Sequence, residues 1–312
     1  MKSDLDALMA ERGYAALLVT GATAGNPPMY YLANGVHVGE RSLLVKPRGQ
    51  APVLVVSGME RDEAAKSGLR VLDLAQFPLG GLLKEEQGDV LRATARQYGQ
   101  ILAHLGVQGA VAVYGHVDQG AAHALLEAVE ELNPGLRIVG EYHNSLLQLA
   151  TATKDAAEVK RIRAVGKQTV AVVGETAEFL TSQRAQNGYL LKKDGQRLNI
   201  GDVKAFINRQ LLEHGVVDAE AGTIFAQGRD AGVPHSRGEA RQPVRLGRSL
   251  VFDIFPAEAG GGYFFDFTRT WCLGYAPDHV YAAYEQVREI YRQTLKALKP
   301  GAPCRDYQTL VC

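Results

Sequence analysis

The 312-residue chain predicts a layered α/β domain over residues 1–150 and a second domain over residues 151–312, in which helices and strands occupy separate runs. Three observations lead there. The length exceeds one ordinary domain. Through the first half, short apolar runs alternate with helical patterns. At Thr151-Ala-Thr-Lys154-Asp155-Ala-Ala-Glu158 the character changes, because Asp155 and Glu158 have the spacing of a capping box that opens a long helix.

Residues 15–20, 42–46, 52–57 and 110–114 are β-rich and apolar, and Pro47-Arg-Gly-Gln50 between the second and third reads as a hairpin turn. Helical patterns cover residues 84–105 and 118–132, the latter stopped by Asn133-Pro-Gly135. The long helix then carries Val159, Ile162, Val165, Val170 and Val173. Residues 184–196 are polar and contain glycine, so they read as a loop. Val203, Phe206, Ile207 and Leu211 resume helical spacing up to His214-Gly215. Strands dominate from about 222 to 273. A final amphipathic helix spans 279–298, and its stripe of Tyr281, Tyr284, Val287, Ile290 and Tyr291 is expected to pack on the sheet.

Lysine plus arginine (34) equals aspartate plus glutamate (34), so no positive field draws in nucleic acid or an acidic membrane. The N-terminus is charged, and no apolar run reaches the roughly 18 residues of a membrane span, which reads as a cytoplasmic protein. Cys272, Cys304 and Cys312 lack zinc-type or redox-type spacing and read as reduced thiols. His116 and His123 have no carboxylate or cysteine partner in the pattern, and Gly21 with Gly25 makes no dinucleotide fingerprint.

The chemistry is concentrated in Leu250-Val-Phe-Asp253-Ile-Phe-Pro and Gly260-Gly-Gly-Tyr263-Phe-Phe-Asp266-Phe-Thr268-Arg269-Thr270-Trp. Each is an apolar, aromatic strand pattern holding one carboxylate. An unpartnered buried carboxylate is costly, so both aspartates call for a cation, a basic side chain or hydrogen bonds. The glycine run folds the second strand back on the first and brings Asp253 and Asp266 together, an arrangement that invites a hard divalent metal. Upstream, Gly228-Arg-Asp-Ala-Gly-Val-Pro234-His235-Ser-Arg-Gly238 sets a histidine in a glycine-studded loop, where it can donate to a substrate carbonyl.

This order of motifs resembles the pita-bread metallopeptidases, which include Xaa-Pro aminopeptidases, prolidases and creatinase. Met29-Tyr-Tyr-Leu-Ala-Asn-Gly35 is similar to that family's N-terminal signature, and the stretch from Thr153-Lys154-Asp155 to Ile162-Arg163 is similar to the entry of its first catalytic-domain helix. Asp266-Phe-Thr-Arg-Thr270 is the most specific piece. The resemblance implies a creatinase-like α/β domain followed by an α+β pita-bread domain, incomplete at its C-terminus. It further implies two divalent metal ions, manganese by preference with cobalt or zinc also suited. Asp253 would chelate one ion and Asp266 bridge both; Thr268 would support the carboxylates, Arg269 would brace the strand, and His235 would contact the scissile peptide's oxygen. The implied reaction is hydrolysis of the amide before proline in a peptide or dipeptide, by a homodimer.

Two departures stand out. The connection from Ile254 to Phe265 is longer than the family's, with the excess in Ala259-Gly-Gly-Gly262. The later histidine and two glutamates that complete the family's metal site have no counterpart before Cys312, since His279, Glu285 and Glu289 sit on one solvated helix pattern. The sequence therefore reads as truncated and inactive as given. A metal-free creatinase-like amidinohydrolase and a non-catalytic pita-bread module for peptides or proteins remain open alternatives.

Overall fold

The computed structural model describes residues 1–218 and 222–312. It divides into two compact units, Met1–Arg163 with Glu258–Tyr263, and Ala164–Ala257 with Phe264–Cys312.

The first unit contains α1 (Leu5–Arg12), β1 (Ala16–Thr20), α2 (Pro27–Leu32), β2 (Leu43–Pro47), β3 (Val53–Val56), α3 (Arg61–Ala65), β4 (Arg70–Asp73), α4 (Leu79–Glu85) and α5 (Val90–His104). β5 (Gly109–Tyr114), α6 (Gln119–Leu132), β6 (Leu136–Val139) and α7 (Leu146–Ala152) follow. The strands form one mixed sheet in the order β4-β3-β2-β1-β5-β6. The central strands are apolar without alternation because both faces are covered. Leu17 and Val19 pack with Leu5, Met9 and Met29 on one side, whereas Ala16 and Leu18 pack with Ile101 and Leu102 on the other. The single helix expected over residues 84–105 is two helices. Gln87 and Gly88 take left-handed backbone (φ +53° and +88°), and Asp89 then caps α5 by accepting from the Arg92 amide at 3.0 Å.

A buried carboxylate ties this unit together. Glu141 Oε1 accepts from Arg12 Nη1 and from the Tyr14 hydroxyl at 3.0 Å, and Oε2 accepts from the Tyr114 hydroxyl and from the Leu146 amide at 2.9 Å.

The long helix α8 (Ala156–Thr181) opens with the expected capping box: the Asp155 amide donates to Glu158 Oε2 at 2.7 Å and the Glu158 amide donates to Asp155 Oδ1 at 2.9 Å. β7 (Arg184–Gln186) and β8 (Tyr189–Leu191) follow, then α9 (Ile200–Glu213), β9 (Val216–Val217), β10 (Ile224–Gln227), β11 (Ser249–Ile254), β12 (Ala257–Glu258), β13 (Phe267–Cys272), α10 (Asp278–Ala297) and α11 (Cys304–Val311). The segment read as a loop over 184–196 is thus a short hairpin; Asn187 and Gly188 both have positive φ, the signature of an Asn-Gly turn.

In the second unit β10, β11 and β13 form an antiparallel sheet in that order. Its apolar face presents Phe225, Leu250, Phe252 and Ile254 to Val172 of α8 and Val203, Ile207 and Leu211 of α9. Phe252 meets Phe225 and Trp271 edge-on, with ring centroids 5.5 and 5.6 Å apart. The stripe on α10 does not pack as expected: among the described residues the helix buries none of its own, and Tyr281, Tyr284, Val287 and Tyr291 are exposed. Periodicity fixes which side of a helix is apolar, but not whether a surface meets it.

Candidate active site

The geometry of the acidic pair follows from strand alternation. On β11 the core takes Leu250, Phe252 and Ile254, which turns Val251 and Asp253 to the opposite face. Register places Thr268 and Thr270 of β13 beside them on one side, and Ile224 and Ala226 of β10 on the other. Asp266 lies two residues before Thr268, so it shares this face. Desolvation raises the Asp266 carboxyl above its usual range, and the charge of the nearby Asp253 raises it further. Thr268 Oγ1 donates to Asp253 Oδ1 at 2.6 Å, orienting that carboxylate. The expected burial of the pair is not met, since Asp253 is half-buried and Asp266 exposed. β13 is an edge strand, and only the apolar face of the sheet is covered by α8 and α9.

His235 is exposed and adopts φ +63°, a left-handed backbone that is costly for a residue with a side chain. It shares a cleft of about 310 Å³ with Asp253, and Asp230, Ile224, Pro234 and Val251 form further parts of the wall. Two of these escaped the sequence reading. Asp230 lay in a loop read for its glycines and His235, and Ile224 becomes visible only through its register opposite Asp253. The loop's far end is pinned at Gly238, where φ is +80° and a Cβ would overlap the Phe225 carbonyl. Arg269 donates from Nη1 to the Thr268 carbonyl at 2.8 Å, and its guanidinium lies 3.8 Å from the Phe267 ring centroid.

Against the hard divalent ions implied by the resemblance, the donor set fits in part. Two adjacent carboxylates, one steadied by a hydroxyl, supply oxygen ligands of the right kind. Among the described residues no group of three or more His, Cys, Asp or Glu side chains is arranged to hold a metal. His279 and Glu289 are exposed on α10, and Glu285 pairs with Arg288. His116 stands ahead of α6 rather than on it, with Nδ1 2.8 Å from the Gly25 carbonyl, while His123 lies 3.6 Å from Glu127 on the exposed helix.

Residues 160–312 match the sequence family described as metallopeptidase family M24. This part of the chain belongs to that family. Over 301 residues the chain is 26% identical to the probable dipeptidase PepE of Mycobacterium tuberculosis, covering 95% of this chain and 69% of that protein. The solved Xaa-Pro dipeptidase of Bacillus anthracis matches with a TM-score of 0.72 at 18% identity, over 99% of this chain and 74% of its own. The X-Pro aminopeptidase of Thermotoga maritima matches with a TM-score of 0.70 at 16% identity, over 97% of this chain and 75% of its own. The second unit therefore carries the M24 pita-bread fold and the first the α/β domain that accompanies it, as the sequence motifs implied. No helix among the described residues is long and apolar enough to cross a membrane.

Proposed function

We propose that this M24 chain is that of a metal-dependent peptidase that cleaves the amide bond before proline in a peptide or dipeptide. One observation carries the reading: Asp253 and Asp266 lie on one face of the hairpin, Thr268 is bonded to Asp253, and Asp253 shares a cleft with His235. The dipeptidase and Xaa-Pro peptidase names of the relatives agree with it.

Asp253 and Asp266 would hold divalent ions, manganese first among them, and Thr268 would keep the Asp253 oxygens turned towards them. Bound there, such ions supply charge neutralisation and the activation of a water at neutral pH. His235 would donate a ring N–H to the carbonyl oxygen of the scissile amide and hold it beside Asp253. Ile224 and Val251 give the cleft an apolar wall beside these polar groups. A cytoplasmic location and a homodimer belong to the same reading. Affinity follows ligand number and geometry, so two carboxylates alone hold a divalent ion weakly.

Manganese titration of the full chain, alongside D253N and D266N, tests the reading. Weak retention by the parent and none by either variant is the expected result. A parent that retains no more manganese than the variants rejects it. Release of proline from Xaa-Pro dipeptides that survives exhaustive chelation would instead favour metal-free amidinohydrolase-like chemistry.

A further inference from the structure

Asp253 and Asp266 sit on the two limbs of one hairpin, and its tip is the segment with the least intrinsic order. Gly260, Gly261 and Gly262 all take positive φ, at +84°, +101° and +123°. Glycines lose more conformational freedom on ordering than any other residue, so a tip of this kind holds its shape only where contacts impose it. Those contacts converge on Arg161. Its Nε and Nη2 donate to the two oxygens of Glu258 at 2.9 and 2.5 Å, and Nη2 also donates to the Tyr30 hydroxyl at 2.9 Å. Glu258 Oε2 accepts the Tyr263 amide at 2.9 Å, which closes the tip on itself. The guanidinium lies 4.9 Å from the Tyr263 ring centroid, and the Tyr263 hydroxyl donates to Glu158.

The glycines make this possible. A Cβ at Gly262 would overlap Glu258 Oε2 and stand 2.9 Å from Arg161 Nη2. Below the tip the limbs are zipped by Glu258 N to Tyr263 O at 3.1 Å and Phe265 N to Pro256 O at 3.0 Å. That ladder runs on into the Asp253–Thr268 pair of β11 and β13. A slip of one residue in such a ladder would carry Asp266 and Thr268 to the other face.

We infer that Arg161, acting through Glu258, is a positioning residue that fixes the hairpin register by which Asp253 and Asp266 come onto one face of the sheet. The inference rests on the proposed function for its purpose, and on the hairpin geometry for its mechanism. A bidentate fork fixes both position and orientation of its carboxylate, which a single ammonium does not.

The register can be read without metal or turnover. In the full chain with Cys272, Cys304 and Cys312 replaced by serine, D253C and D266C form a thiol pair that glutathione disulfide oxidises to an intrachain disulfide, releasing two molecules of reduced glutathione. R161M is expected to slow closure about tenfold, the effect of one strong charged contact, and R161K to recover part of the rate. R92M, which removes a surface Arg–Glu network in the same unit, should leave the rate unchanged. Equal closure rates in R161M and its parent overturn the inference, as does a slowing that R92M reproduces. Should R161M fail to fold, as judged by circular dichroism, E258Q weakens the same fork and is read by the same criterion. Manganese retention by the chain with native aspartates judges the metal reading separately. Arg161-dependent closure in a chain that holds no manganese would keep the positioning role and reject the proposed function.

Discussion

Replacement of Glu141 by glutamine should destabilise the first unit by about 3 kcal/mol at neutral pH. The side chain is 7% exposed and each of its oxygens accepts two bonds, so the substitution converts one doubly used acceptor into a donor. If that oxygen is Oε2, the Leu146 amide cannot turn away and faces an N–H. If it is Oε1, the charged Arg12 does. Either way one donor that cannot turn loses its acceptor in a buried setting, at a cost of about 1–3 kcal/mol and more for a charged group, and the hydroxyl beside it must reverse its bond. A domain of this size shifts its transition by about 2–4 °C per kcal/mol, so calorimetry at pH 7 should show the transition about 6–12 °C lower.

The effect also has a definite pH sign. Burial pushes the Glu141 carboxyl up, but bonds from Tyr114, the Leu146 amide, Tyr14 and Arg12 outweigh it and leave the group below its ordinary value. Stability from a depressed carboxyl is complete above the unfolded value of about 4.3 and is lost as pH falls through the folded one. The gap between parent and variant should therefore narrow as the pH drops below about 4. A shift under about 2 °C at pH 7, or a gap of constant size down to pH 3, would refute the network account.

Three further outcomes follow from the site and its supports. T268V should weaken manganese retention by about tenfold whereas T268S keeps it; equal affinities in titration would show that the 2.6 Å bond to Asp253 does not orient a ligand. G238A should destabilise by at least about 2 kcal/mol because its Cβ meets the Phe225 carbonyl at positive φ, while G232A, in open space, should stay within about 0.5 kcal/mol; similar urea midpoints for the two would contradict the pinned loop. F252A, which empties a fully buried position, should cost about 3–5 kcal/mol and Y291A, 61% exposed on α10, under about 0.5 kcal/mol in the same assay. A large loss in Y291A would mean that α10 packs in solution.

Much of this molecule is legible in the sequence where local rules decide it. The capping box at Asp155 and Glu158, the stop at Asn133 and the strand runs at β1, β2, β3 and β5 each depend on neighbours a few residues away. The Asn187-Gly188 hairpin was equally local, but the polar composition around it hid a turn signal that the dipeptide itself carries. The exposure of Asp266 and of the α10 stripe was not legible, because it depends on which surfaces come to lie against those faces. The same holds for Arg161 and Glu258, 97 residues apart, whose types alone suggest solvated surface charges. The site motif around Asp266 stood out for a physical reason: acids inside aromatic strands are rare enough to need an explanation.

Glu158 belongs to two time scales. Its Oε2 caps a helix through a residue three positions away, whereas its Oε1 takes a hydroxyl from Tyr263, 105 positions later. At about 5–20 residues per second of synthesis, Tyr263 is made roughly 5–20 s after Glu158. Over that interval the start of α8 can already be wound while its partner does not yet exist. The first unit, which counts Glu258–Tyr263 among its residues, therefore cannot be completed in the order in which the ribosome delivers the chain.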